Sequence, residues 1–118
     1  RVAERIAEQI GAEGIVTGEA IGEQASQTLH NLRVLDEAVE KYPVYRPLLG
    51  FDKVETEALA RKIGTYEISG WKAKGCTAAP KKPTTKARLE EVKEAEEKLK
   101  VEEIVENVVG SLKVVRLQ

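Results

Sequence analysis

Apolar residues recur at helical spacing from the first position: Val2, Ala3, Ile6, Ala7 and Ile10 fall on one face, which predicts a helix over 1–10 with Gly11 as its C-terminal cap. Gly14-Ile15-Val16-Thr17 is a short β-branched run beside glycines, and predicts a buried strand. Gly18-Glu19-Ala20-Ile21-Gly22 then reads as a loop that opens a second helix. In that helix Ala25, Leu29, Leu32, Leu35 and Val39 keep roughly helical spacing until Lys41-Tyr42-Pro43. Val44 to Leu49 predicts the next parallel strand, with Pro47 at or near its end because proline cannot donate to a ladder.

Gly50 and Phe51 lead into a third helix, where Asp52 and Glu55 have the spacing of a capping box, Val54, Ala58, Leu59 and Ile63 supply an apolar face, and Gly64 is the stop. Residues 68–85 hold Gly70, Gly75, Pro80 and Pro83 among Lys72, Lys74, Lys81 and Lys82, and read as a long irregular basic loop. Such loops are commonly functional or disordered. From Thr84 or Thr85 one long helix is predicted to about Val109, with Leu89, Val92, Ala95 and Leu99 inward, Glu94-Lys98 and Glu96-Lys100 paired outside, and Gly110 as the stop. Residues 111–117 fit either an edge strand or a terminal extension.

Strands alternating with helices over short connections predict an α/β domain on a parallel sheet, with ligands at the carboxyl ends of the strands. The expected divisions are an α/β core over 1–66, the basic loop over 67–85, and a C-terminal helix and tail over 86–118. The two or three visible strands are few for a doubly wound sheet, and the helix already under way at Arg1 points to a longer parent. With 118 residues, 42% of them hydrophobic, the chain is expected to enclose one core without disulfides or metal. Removal of preceding strands would expose an apolar sheet edge, so self-association is also expected.

Charge removes some function classes. Lys and Arg number 19 against 20 Asp and Glu, a formal net charge of -1, which gives no chain-wide footprint for nucleic acid. Any RNA contact is then local. The single cysteine, Cys76, excludes an internal disulfide framework and a two-cysteine metal clamp within one copy, and no metal bound by this chain is expected. No apolar run approaches the roughly 20 residues of a membrane span, so a cytoplasmic protein without membrane partners is expected.

Candidate chemistry gathers first at Thr17-Gly18-Glu19, where glycine after a strand lets a ligand approach the backbone and helix amides can hold an anion. A plain tight turn is the alternative. Ser26, Gln27 and Thr28 are placed one turn into the second helix, where Gln27 can donate and accept at a purine edge or belong to a solvated face. Lys53 sits in a first helical turn, where a surface lysine is equally consistent. Cys76 is either a small buried hydrophobe or a thiolate favoured by the neighbouring lysines. His30 has no companion at ligand spacing and receives no role. Trp71 and Tyr66 fit packing anchors better than base-stacking platforms.

The run Thr17-Gly18-Glu19-Ala20-Ile21-Gly22-Glu23-Gln24-Ala25-Ser26-Gln27-Thr28-Leu29-His30-Asn31-Leu32 closely resembles the signature of the tRNA 4-thiouridine synthetase (tRNA sulfurtransferase) family: TGE, two variable positions, then a stretch like GQVASQTLxNL. Arg46-Pro47-Leu48, Asp52-Lys53, Ala60-Arg61, Ile63-Gly64-Thr65, Cys76 and Pro83-Thr84 continue the match in order. One departure is Glu23-Gln24, where the family usually has glutamine and then an aliphatic residue.

The resemblance implies the C-terminal half of a PP-loop ATP pyrophosphatase domain, adenine nucleotide alpha hydrolase-like and Rossmann-like, with a long C-terminal helix. It implies an enzyme that adenylates the C4 oxygen of a tRNA uridine with ATP, Mg accompanying, and then replaces AMP with sulfur from a persulfide donor. Gly18 and Gln27 would border adenine or ribose, Lys53 would stabilise charge, and Cys76 would deliver sulfur or resolve the persulfide. The family's PP-loop and RNA-binding modules should precede Arg1, so tRNA would be held mainly outside this chain and the 118 residues alone would be inactive. Two rival readings stand beside this one. They are a PP-loop enzyme supplying sulfur for the thiamine thiazole, and a non-catalytic interaction fragment.

Overall fold

The computed structural model describes residues 1–71 and 82–116. Helix α1 (Val2–Ile10) ends on Gly11 at φ 67 and ψ 34, a left-handed conformation that costs glycine nothing, as the sequence predicts. Strands β1 (Ile15–Val16) and β2 (Val44–Tyr45) pair in parallel, Ile15 opposite Val44 and Val16 opposite Tyr45. The Ile15 N–H donates to the Pro43 carbonyl at 3.0 Å and the Thr17 N–H to that of Tyr45 at 3.0 Å. The α/β class is thus present in a two-stranded sheet.

Both strands are shorter than predicted. After Tyr45 the chain turns, the Leu49 N–H donating to the Arg46 carbonyl at 3.1 Å, and Pro47 has no N–H with which to continue the ladder. The first strand is also less buried than its composition predicts. Neighbouring strand residues point to opposite faces; Ile15 is half-buried, while Val16 is 69% exposed.

The second helix departs further from expectation. Helix α2 is confined to Leu29–Asp36, because Gly22 at φ 86 turns the chain and Thr28, extended at φ -104 and ψ 153, caps the helix. Its Oγ1 accepts from the Asn31 N–H at 3.2 Å. Ser26, Gln27 and Thr28 therefore precede the helix, and a threonine hydroxyl that competes for backbone N–H groups has overridden the apolar spacing.

Helix α3 (Lys53–Lys62) carries the predicted capping box. The Glu55 N–H donates to Asp52 Oδ1 at 2.8 Å, and the Asp52 N–H to Glu55 Oε2 at 2.9 Å. Gly64 at φ 77 follows the helix. Asp52→Ala should cost helix α3 about 1 kcal/mol, read as roughly fivefold faster hydrogen exchange in its first turn. Unchanged exchange would show that the box contributes nothing.

A short helix α4 (Tyr66–Ser69) follows. The Arg61 guanidinium lies 3.9 Å from the centroid of the Tyr66 ring, whereas Trp71 is 73% exposed and is no packing anchor among the described residues.

The single C-terminal helix predicted from 84 or 85 is instead two, α5 (Leu89–Glu96) and α6 (Val101–Gly110). Lys100 is non-helical at φ -83 and ψ 68. Long-range pairs and helix packing accompany the break. Arg1 binds Glu96 at 2.7 Å and Arg5 binds Glu102 at 3.1 Å, while α1 packs against α6. The expected Glu96–Lys100 pair, worth a few tenths of a kcal/mol on a surface, gives way to Arg1–Glu96 and to Lys100–Glu103 at 3.0 Å. Leu99, expected inward, is 58% exposed. Residues 112–116 form no strand.

One enclosed core was expected; among the described residues, the buried apolar side chains are Ala7, Ala20, Leu32 and Val105, and none is wholly removed from solvent. The radius of gyration, 16.3 Å, exceeds the roughly 13.5 Å of a compact domain this long. Apolar composition was sufficient, but the apolar faces are spread over elements that cover one another incompletely. Local ties help to hold them. Glu4 accepts from the N–H groups of Lys41 and Glu40 at 2.7 and 2.8 Å, and these bonds, Lys41 first, hold its carboxyl below the usual range. Their contribution is present above the ordinary carboxylate pKa and is lost as pH falls through the lowered one. Among the described residues no helix is long and apolar enough to cross a membrane.

Candidate functional site

Beyond the carboxyl end of β1 runs the loop Gly18–Gly22, and beyond that of β2 runs the turn that leads into α3. The Ile21 N–H donates to the Leu49 carbonyl at 3.1 Å and joins the two. Between them is a cavity of about 290 Å³ lined by Gly18, Ala20, Gln27, Leu48 and Lys53, with Glu23, Gln24, Thr56 and Glu57 at its walls. Three residues chosen from sequence, Gly18, Gln27 and Lys53, thus come from separate segments to one cavity. It lies where ligands bind in parallel α/β sheets.

Each has a definable state. Gly18 has no positive φ, and a Cβ added there would meet nothing within 4 Å; the chain's own sterics do not require glycine at this position. Gln27 Oε1 accepts from the Ala20 N–H at 3.4 Å, so its acceptor is turned to the glycine loop and its NH₂ is the group left to donate. Lys53, at the first position of α3, makes no ion pair among the described residues, and nearby Glu57 pairs with Arg61 at 3.2 Å. Glu55 and Asp52 close the adjacent cap. A lysine ammonium outside any ion pair among the described residues, at a cavity whose wall also carries Glu23 and Glu57, is a candidate partner for an anionic group.

The anion-holding helix start expected directly after Gly22 is not formed. Helix α2 begins at Leu29, and the Asn31 N–H is already taken by Thr28. Asn31 itself, 6% exposed, donates from Nδ2 to the Ser26 and Thr84 carbonyls and accepts on Oδ1 from the Ala87 N–H, all at 2.8 Å. Thr28 Oγ1 donates to the Thr85 carbonyl at 2.8 Å, and His30 Nε2 to that of Ala87 at 2.8 Å. Residues 84–87 are thereby fastened across the start of α2. A second cavity of about 450 Å³ opens between α2 and α5, with Val34, Leu35, Ala38, Leu89 and Val92 in its wall, and it shares Gln27 with the first.

Composition and spacing gave Asn31 no role; an asparagine in a first helical turn, where it is a poor helix former, was the available signal. Arg46 was likewise noticed only as part of a motif. Its side chain, 12% exposed, lies 3.6 Å from Glu19 Oε2 and 2.5 Å from Asp36 Oδ1, and ties the glycine loop to the end of α2. Cys76 lies outside the described residues, as do Lys72, Lys74 and Lys81. Among the described residues no group of three or more His, Cys, Asp or Glu is placed to hold a metal ion.

Parallel strands, each followed by a loop and then a helix, with a cavity at their carboxyl ends and a lysine at its edge, define an α/β unit with a candidate ligand site. The chain belongs to the family described as thiamine biosynthesis protein (ThiI), whose model matches residues 1–101. It is 45% identical over 119 residues to the probable tRNA sulfurtransferase of Alkaliphilus metalliredigens, covering 99% of this chain and 30% of that protein. With the probable tRNA sulfurtransferase of Methanocaldococcus jannaschii the identity is 48% over 101 residues, or 86% of this chain and 26% of that one. A crystal structure of a 4-thiouridine synthetase–RNA complex with bound ATP superposes with a TM-score of 0.82 at 42% identity, over 96% of this chain and 30% of that one. The chain therefore spans less than a third of the length of these relatives.

Proposed function

We propose that the full-length protein containing this chain is an ATP-dependent tRNA sulfurtransferase that forms 4-thiouridine, and that this chain supplies part of its PP-loop catalytic domain. The observation that carries the reading is the meeting of Gly18, Gln27 and Lys53 at one cavity in a chain 42% identical to a 4-thiouridine synthetase solved with RNA and ATP. ATP and tRNA are the proposed ligands, a persulfide the sulfur donor, and the cytoplasm the compartment.

In the proposed reaction the uridine C4 oxygen attacks the α-phosphorus of ATP and pyrophosphate leaves. The terminal sulfur of the persulfide then attacks C4, the C4–O bond breaks, and AMP departs with that oxygen. A second thiol, for which Cys76 is the candidate, attacks the carrier sulfur, the S–S bond breaks to leave the C4 thiocarbonyl, and an external thiol reductant reopens the resulting disulfide. Adenylation is needed because a carbonyl oxygen is a poor leaving group, whereas a phosphate ester oxygen leaves readily. Gln27 is suited to donate from its NH₂ to an acceptor nitrogen of adenine, its carbonyl being engaged by Ala20. Gly18, open where a Cβ would stand, leaves room for the nucleotide against the backbone. Lys53 offers a point charge to phosphate oxygens or to charge developing at the reacting centre. Mg²⁺ is expected to travel with the nucleotide. The described residues gather no donor set for it, and no step here is assigned to it.

The family's description as a thiamine biosynthesis protein favours thiazole sulfur supply as a second reading. Nucleoside analysis of tRNA from a strain lacking the full-length gene separates the two. Loss of 4-thiouridine, restored by the wild-type gene, is the expected result. Full retention of 4-thiouridine together with a requirement for thiazole would overturn the first reading in favour of the second.

A further inference from the structure

Asn31 is the buried polar side chain among the described residues, and all three of its side-chain bonds cross between segments distant in sequence or hold the turn before α2. Its Nδ2 grips the Ser26 carbonyl, one residue before Gln27, and also the Thr84 carbonyl; its Oδ1 takes the Ala87 N–H. A buried amide with every bond at 2.8 Å is costly to disturb, since each released partner is left unsatisfied. Ser26 and Gln27 on one side and residues 84–87 on the other are therefore held in one register by a single side chain. Thr28 and His30 reinforce the same seam through Thr85 and Ala87.

Gln27 faces both cavities, and its Oε1 contact with Ala20 reaches the glycine loop. A ligand that fixes Gln27 restricts the Ser26 carbonyl, and through Asn31 restricts the 84–87 segment. We propose that Asn31 is a positioning residue that couples nucleotide occupancy at Gln27 to the setting of residues 84–87. The inference rests on the reading of the first cavity as a nucleotide site. By linkage, if ATP tightens the 84–87 segment, loosening that segment weakens ATP by the same factor.

Hydrogen exchange on the full-length wild-type protein, with and without ATP, tests it directly at the Ala87 amide, whose N–H is the one Asn31 holds. ATP is expected to slow exchange there about fivefold or more. In Asn31→Ala the same addition should change it less than about twofold, while the equilibrium Kd for ATP rises by about the factor lost. Measurable ATP binding with unchanged Ala87 exchange in the wild type would overturn the coupling and leave the nucleotide reading standing. Absence of ATP binding by the wild type would overturn both. If Asn31→Ala folds with lower stability but keeps the wild-type Kd for ATP and the wild-type response of Ala87 to ATP, Asn31 is structural alone and the proposal fails. If that variant does not fold, the wild-type exchange measurement decides.

Discussion

Cys76→Ser in the full-length protein is expected to abolish multiple-turnover formation of 4-thiouridine while pyrophosphate release with ATP and tRNA continues. Cys76 is the one thiol of this chain, hence the one residue here able to take up or relay sulfane sulfur. The thiolate is the nucleophile in such exchange, and in sequence Cys76 stands among Lys72, Lys74, Lys81 and Lys82, a setting that favours its ionised form. A serine hydroxyl is a far weaker nucleophile and forms neither persulfide nor disulfide. Yield should stop at no more than about one thiolated nucleoside per protein molecule. Adenylation should persist, because the residues proposed to hold the nucleotide are Gly18, Gln27 and Lys53. Both half-reactions should be followed on one preparation of the variant. A packing role would lower stability and depress both; thiolation at the wild-type rate over many turnovers would move the sulfur-bearing residue outside this chain.

Lys53→Ala should slow adenylation by about 10² to 10³ while the fold is retained, the loss typical when one preorganised electrostatic donor is removed. Lys53 is exposed and forms no ion pair among the described residues; the capping box beside it is closed by Asp52 and Glu55 alone. Removing a cation from a first helical turn even relieves a small unfavourable interaction with the helix dipole, a few tenths of a kcal/mol. Exchange rates across α3 should accordingly stay within about twofold of wild type. Lys53→Arg keeps the charge but replaces a compact ammonium by a wider fork, and should recover part of the rate. Unchanged pyrophosphate release in Lys53→Ala would remove this lysine from the mechanism.

Residue pattern alone determined what is settled over a few residues. Apolar spacing located α1 and α3; Gly11 and Gly64 marked their ends by the left-handed turns that glycine permits; Asp52 and Glu55 announced a reciprocal cap three residues apart. The motif from Thr17 to Leu32 carried the family resemblance and with it Gly18 and Gln27 as candidate site residues, and the later Asp52-Lys53 match added Lys53. Spacing could not show that these three meet, because the segments that bear them are joined by the β1–β2 pairing and the Ile21–Leu49 bond. Nor could it show where α2 begins or that the C-terminal helix breaks. Those outcomes depend on Thr28 and Asn31 reaching Thr85, Thr84 and Ala87, and on Arg1 and Arg5 reaching Glu96 and Glu102. Local helix preferences amount to tenths of a kcal/mol per residue, and a buried hydrogen bond to about 1 kcal/mol. The bonds of buried Asn31 to residues more than fifty positions away therefore outweigh the local pattern at the start of α2, and tertiary structure decides where local signals are weak.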